Sequence, residues 1–356
     1  MSGSRPSLST YVIVSNEFDL IARFFKRPVP SGMLGGGDDC ALFKVTPGQQ
    51  LATSKDLLLE GRHFFSDVDP YSLGHKSLAV SLSDLAAMGA KPVACLLGLA
   101  LPAYNEDWLA RFADGFYALA DLHGCALIGG DTTRSENGIA ISVTVFGEVD
   151  PAHAMHRSGA KVGDDIWVSG QLGAADLALK LLSGALVDPT LPPRQQSSGS
   201  TKPKPHGLLG LSGSLLEQTR PALEQPTPRV FLGRRLSTHA HAAIDISDGL
   251  LQDLGHILES SGVGARLEES LLPVHPALQS LALADRRRAV LAGGDVYELC
   301  LTAAVTERDD FERIGLESGV ALTRIGQIIS EKTLHVYDEA GQRIESLPQG
   351  FDHFRD

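Results

Sequence analysis

Acids beside glycine or serine recur along this chain, and few folds can place them all. Asp38 and Asp39 follow three glycines in GGGDDCAL (35–42). Asp56 sits in ATSKDLLLEGRHF (52–64), Asp84 in SLSDLAAMG (81–89), and Asp131 in LIGGDTTR. Asp245 and Asp248 frame DISDGL, and Asp295 follows two glycines in AGGDVYELC (292–300). Each alone reads as an Asx-turn or a helix cap. The set reads differently, because carboxylates gathered on one surface repel unless cations neutralise them. Asp and Ser oxygens beside small residues suit hard cations such as Mg²⁺, which take oxygen ligands and keep several waters. The array favours a site for several metal ions and a polyphosphate.

Other nucleotide signatures are absent. A P-loop needs a Gly-Lys step, and GK occurs nowhere in the chain. The protein-kinase elements HRD and DFG are missing too. A nucleotide would be held through metals, glycine-rich turns and an arginine, with Arg157 in HRSGAKVGDD the candidate. The net charge of −12 argues against a nucleic-acid or anionic-membrane partner, unless metal cations stand between. Cys40, Cys95, Cys125 and Cys300 are scattered without a CxxC pair, so neither a zinc site nor a disulfide framework is expected. With no signal-peptide pattern, the expectation is a cytoplasmic protein with reduced thiols. The apolar run VACLLGLAL (93–101) is too short to span a bilayer and reads as a buried strand.

At 356 residues, two domains are expected. EFDLIARFF (17–25) reads as an amphipathic helix. Residues 70–89 carry helix signals: Pro70 near the start, Gly89 at the end and Pro92 beyond. Leu78, Leu82 and Leu85 form its apolar stripe, while Ser77, Ser81 and Asp84 share another face. A helix from Asn105 carries Leu109, Phe112, Phe116 and Leu119. ALIGG (126–130) reads as a strand ending in a turn, and IAISVTVFGE (139–148) alternates as a half-buried strand. DDIWVSG (164–170) is a strand, GAADLALKLLSG (173–184) a helix, and AAIDIS (242–247) a strand feeding a helix. This mixture predicts an α/β (α+β) fold with mixed or antiparallel sheets covered by helices. The boundary is expected near 150–163, dividing the chain into 1–150 and 151–356. Residues 189–228 hold eight of the 19 prolines and read as a surface loop insertion.

These segments, taken in order with GFDHF near the C-terminus, resemble thiamine-monophosphate kinases from end to end, the proline-rich stretch excepted. The wider superfamily includes aminoimidazole ribonucleotide synthetase, selenophosphate synthetase and a hydrogenase-maturation protein. The resemblance implies a two-domain fold like aminoimidazole ribonucleotide synthetase, with an N-terminal mixed sheet that dimerises and a C-terminal α/β sandwich. It implies transfer of the ATP γ-phosphate to thiamine phosphate with several Mg²⁺ ions, in a cytoplasmic homodimer. By resemblance Asp39, Ser54, Lys55, Asp56, Asp84, Asp131, Asp245 and Asp248 are metal-site residues. Gly130, Asp131, Arg157 and Ser247 contact the nucleotide, and His63, Asp295 and Phe351 face thiamine phosphate. No general base is expected, because the acceptor is already an oxyanion. Alternatives are a sister ATP-dependent enzyme with another acceptor and a binder without turnover. No cysteine precedes Cys40, where a selenophosphate synthetase would carry its reactive residue. The chain ends FDHFRD rather than in the reactive cysteine of the hydrogenase type.

Two positions depart from the family pattern. Lys55 stands where Thr is usual in the Ser-Thr-Asp step. A charged lysine cannot ligate Mg²⁺ through its side chain, although its carbonyl can, or its ammonium can replace a cation. The usual Glu-Asp pair is Asp295-Val296, one methylene shorter and without the second carboxylate. The expectation is an active kinase with altered metal or substrate affinity.

Overall fold

The computed structural model describes residues 17–188 and 214–351. Through residue 149 the elements are α1 (Glu17–Phe24), β1 (Gln50–Leu59), α2 (Pro70–Ala87), β2 (Lys91–Leu101), α3 (Glu106–His123), β3 (Ala126–Arg134) and β4 (Ala140–Val149). Then come β5 (Asp165–Ser169), α4 (Ala174–Ser183), α5 (Leu215–Glu224), α6 (Val230–Leu236), β6 (Ala242–Asp245) and α7 (Leu250–Ser261). β7 (Gly264–Glu268), α8 (Leu283–Ala292), β8 (Leu299–Ala303), α9 (Arg308–Ser318), β9 (Leu322–Ile329) and β10 (Leu334–Tyr337) complete the order.

Two mixed sheets result. The first runs β1-β4-β2-β3, with β2 and β3 parallel and the other pairs antiparallel. The second runs β10-β7-β9-β5-β8-β6, with only β10 and β7 parallel. A mixed α/β architecture is what the alternation of strand and helix patterns predicts.

Helix α2 lies between the sheets, and its composition follows from that place. Asp69 caps it by accepting from the Ser72 N–H, and Pro70 opens the first turn. Leu78 and Leu82 are 0% exposed, but so are Ser77, Ser81 and Ser83. A helix covered on every side has no solvent face to spend on polar residues, so its serines must find partners inside. Its leucines join a core that continues through Phe112 and Phe116 of α3 to Leu299 and Leu301 of β8. A second core fills the far face of the larger sheet, with Leu177, Leu254 and Ile257 at its centre. Truncating Leu82 to Ala in such packing costs about 2–5 kcal/mol.

Helix α6 docks the C-terminal part onto α2 by backbone contact. A Cβ on Gly233 would lie 2.0 Å from the Ala86 carbonyl oxygen, so any side chain there would push the helices apart.

Two local expectations change. The strand through ALIGG does not turn at the glycines but runs on through Asp131 to Arg134. Gly130 sits at φ +152, and a Cβ there would meet the Leu97 carbonyl oxygen at 1.9 Å. The glycines thus let neighbouring strands approach, a role that sequence alone does not separate from a turn. In the stretch read as a loop, residues 189–213 lie outside the described residues, and Leu215–Glu224 form a helix. Ser214 caps it from the Glu217 N–H, and the i,i+4 pair Arg220–Glu224 braces it around Pro221. Its proline content had masked a capped, amphipathic end.

Candidate active site

Three aspartates converge where β1, α2 and β6 meet, and each is held by a serine. The Ser54 hydroxyl donates to Asp84, joining β1 to α2. The Ser81 hydroxyl donates to Asp56 Oδ2 at 2.6 Å, joining the same elements the other way round. The Ser83 hydroxyl donates to Asp245 Oδ2 at 2.7 Å, joining α2 to the second sheet. Helical and strand periods explain the set. Ser81 and Asp84 lie three apart on the α2 face toward β1, while Ser54 and Asp56 lie two apart on the inward face of β1. Ser77, grouped with them by sequence, instead donates to the Gly74 carbonyl of its own helix.

Burial and mutual repulsion set the charge state. Burial, and then the neighbouring Asp84, push Asp56 up to about 6, with the Ser81 hydroxyl opposing. Asp245 is pushed to about 8, first by burial and then by Asp84, with the Ser83 hydroxyl opposing. Burial raises Asp84 as well, while the Ser54 hydroxyl and the Arg157 charge restrain it. Such a group ionises readily only when a cation compensates it, so its oxygens form a donor set for hard cations. Ser54, Asp84, Arg157 and Asp245 line one cleft of about 200 Å³ between the sheets.

The turn after β6 carries Ser247 and Asp248. Three successive N–H groups, of Ser247, Asp248 and Gly249, donate to Asp253 Oδ2 at 3.0, 3.0 and 3.1 Å. Burial pushes Asp253 up to about 7, although the three N–H groups favour its charged form. Sequence reasoning passed over Asp253 because it sits within the helix pattern. Its signal was an acid four residues after the DG step.

The three residues assigned to the acceptor side gather beside that turn. The Asp295 N–H donates to the Ser247 carbonyl at 2.8 Å, and the Phe351 N–H to the Asp248 carbonyl at 3.0 Å. His63 accepts the Leu59 N–H on Nδ1 at 2.9 Å, which places its proton on Nε2. The Arg62 guanidinium lies over the Phe351 ring, 4.7 Å from its centroid. Asp295 and Tyr297 both adopt positive φ, 58° and 54°. That region is tolerable for Asp but strained for Tyr, and such strain gathers at functional turns. Val296 between them packs against the C-terminal core.

The remaining residues lie elsewhere. Lys55 alternates with Ser54 and Asp56, so it is exposed on the opposite face of β1. Asp131 is also exposed, on β3, in the cross-strand row through Leu57, Ser142 and Gly98. That row shares the outer face with Lys55. Asp38 and Asp39 are exposed in a loop closed by paired hydrogen bonds between Leu34 and Leu42, of 2.7 and 3.0 Å. Among the described residues, no hydrogen bond or ion pair links Asp39, Lys55 or Asp131 to the three clustered acids. Nor is any helix among them long and apolar enough to cross a membrane.

Comparison with known proteins identifies the family. Residues 37–149 match the AIR synthase related protein N-terminal domain, and residues 209–339 its C-terminal domain. The thiamine-monophosphate kinase of Salmonella typhimurium is 38% identical over 342 residues, 95% of this chain and 98% of that protein. The crystal structure of thiamine-monophosphate kinase from Stenotrophomonas maltophilia is 44% identical, with a TM-score of 0.76 over 91% of this chain and 95% of that one. A structure of AaThiL complexed with AMPPCP and TMP is 26% identical, with a TM-score of 0.69 over 87% of this chain and 89% of that one. The chain belongs to the thiamine-monophosphate kinase family.

Proposed function

We propose that this protein transfers the γ-phosphoryl group of ATP to thiamine phosphate, giving thiamine diphosphate and ADP. The observation that carries the reading is the cleft between the sheets, where Asp84 and Asp245 face Arg157 with Asp56 behind them. The clustered carboxylates of Asp56, Asp84 and Asp245 form an oxygen donor set that fits Mg²⁺, and with Asp248 they would hold it. When bound, Mg²⁺ supplies neutralisation of the two polyanions.

The reaction needs no base. An oxyanion of thiamine phosphate forms a bond to the γ-phosphorus, and the bond from that phosphorus to the bridging oxygen breaks. The electron pair leaves with ADP. The protein's task is alignment. Arg157 offsets phosphate charge at the cleft, the protonated Nε2 of His63 donates to the acceptor, and Asp295 and Phe351 fix its orientation. Incubation with ATP, Mg²⁺ and thiamine phosphate should yield thiamine diphosphate. Binding without product would leave a non-catalytic binder, and turnover only with another acceptor a sister enzyme. Direct transfer should invert a chiral γ-phosphate, whereas net retention would require a phosphorylated enzyme.

We further infer a cytoplasmic homodimer, and the exposed outer face of the first sheet supports the pairing. Leu51, Leu57 and Leu59 are 46%, 54% and 40% exposed along one strand. An apolar stripe of that kind is characteristic of an interaction surface. In this reading, pairing of two such faces sets Lys55 and Asp131 at the interface, and Asp39 acts in the assembled enzyme.

A further inference from the structure

We infer that Lys76 is a positioning residue for the acceptor: its buried ammonium joins the two substrate-side elements, which come from opposite halves of the fold. This rests on the reading of His63 and Asp295 as acceptor-side residues. Lys76 lies on α2 and is only 3% exposed. An ammonium so buried must be paired. Its Nζ lies 3.1 Å from Asp295 Oδ1 and donates to the His63 carbonyl at 3.3 Å. His63 belongs to the segment after β1, and Asp295 to the turn before β8. One cation thus ties the N-terminal half to the C-terminal half at the place where thiamine phosphate is proposed to bind.

The contacts on Asp295 are one-sided. Lys76 and the Tyr297 hydroxyl, at 2.9 Å, both address Oδ1. Asp295 itself is 29% exposed through its side chain, so its other oxygen is the one a ligand can reach. The arrangement selects which carboxylate oxygen faces the acceptor and holds the strained Asp295–Tyr297 turn against α2. An acid one methylene shorter than the usual glutamate has less reach, so its placement depends more on the groups that hold it. Among the described residues, no hydrogen bond or ion pair joins Lys76 to the Asp56–Asp84–Asp245 group or to the nucleotide-side residues Gly130, Asp131, Arg157 and Ser247.

The test is kinetic, on the full-length enzyme. Lys76→Met should raise KM for thiamine phosphate about tenfold or more, because small misplacements of an orienting group are expensive. KM for ATP should stay at the wild-type value. Asp295→Asn should raise the same constant, and the double variant should fall short of the product of the two single effects, since both changes break the Lys76–Asp295 pair. Lys76→Arg keeps the charge and should recover part of the loss. Lys76→Gln replaces the methionine variant, with the same readings, should that one fail to fold. Equal rises in both KM values, or effects that add in the double variant, would overturn the inference. An unchanged thiamine-phosphate KM in Asp295→Asn sinks the acceptor-side reading itself. A raised KM there, with none in Lys76→Met, sinks the role of Lys76 alone.

Discussion

The two faces of β1 carry different residues to different ends. Inward, Ser54 and Asp56 are engaged with α2, and burial governs their chemistry. Outward, Lys55 stands exposed among Leu51, Leu57 and Leu59. Ser54, Lys55 and Asp56 are consecutive, yet strand geometry separates the middle one from its neighbours by the thickness of the sheet. A motif that reads as one ligand set in sequence is therefore two half-sites in space. The inner group, Ser54 and Asp56 with Asp84 and Asp245, is assembled from one chain. The outer half, with Asp131, faces open surface, and in the proposed dimer its partners come from the assembly.

Asparagine at position 84 makes the largest difference between the faces. Asp84→Asn should lower kcat/KM at least about a hundredfold, because several kcal/mol of charge stabilisation depend on that carboxylate. The folded protein should be as stable as wild type without Mg²⁺, since repulsion on Asp56 and Asp245 is relieved. Activity within tenfold of wild type would remove the inner face from the catalytic account.

A smaller effect is expected from Leu57→Glu on the outer face. Sedimentation should show the dimer weakened, and activity per chain should fall about tenfold at dilute concentration and recover as concentration rises. A monomeric wild type, or a monomeric variant of full activity, would break the proposed division between the faces.

Next in size is the pH response without metal. Asp56, Asp253 and Asp245 sit at about 6, 7 and 8 in the folded protein, all above the ordinary unfolded value of about 4. Raised carboxyl groups contribute stability that is complete below pH ~4 and lost as pH rises through the folded values. The thermal midpoint in EDTA should therefore fall by several degrees between pH 5 and 8, and added Mg²⁺ should flatten the slope. A midpoint rising over that window would contradict the charge states of the inner face.

Lys55→Thr should give the mildest change, a modest shift in the Mg²⁺ concentration for half-maximal rate. An unchanged Mg²⁺ dependence would remove the metal from the explanation of that position.

Much of the inner site was legible because it follows regular periods. Ser81 and Asp84 share a face by helical spacing, and Asp245 ends a short apolar strand. The outer assignments were carried by motif resemblance, which does not register that Lys55 and Asp56 point oppositely. Lys76 was hidden in a pattern of helix formers, where a lysine ordinarily marks a solvent face. Its partners, the His63 carbonyl and Asp295, come from distant segments, and only the tertiary fold makes that position interior. Asp253 escaped for a related reason: hydrogen bonding to three backbone groups four to six residues earlier leaves no mark in an apolar periodicity. The continuation of β3 past two glycines depends on a neighbouring carbonyl, which is tertiary information.

The turn that opens α7 has one more consequence. Helix beginnings commonly seize phosphate with their free amides, but here Asp253 has already filled that berth with a carboxylate of the chain's own. A nucleotide arriving at this turn meets negative charge instead of donors. In the proposed enzyme its phosphates would rely on Arg157 and a bound cation, so titration with ADP in excess chelator should show weaker association than the same titration in Mg²⁺. The helix start that could have held a phosphate directly is occupied by the chain's own carboxylate.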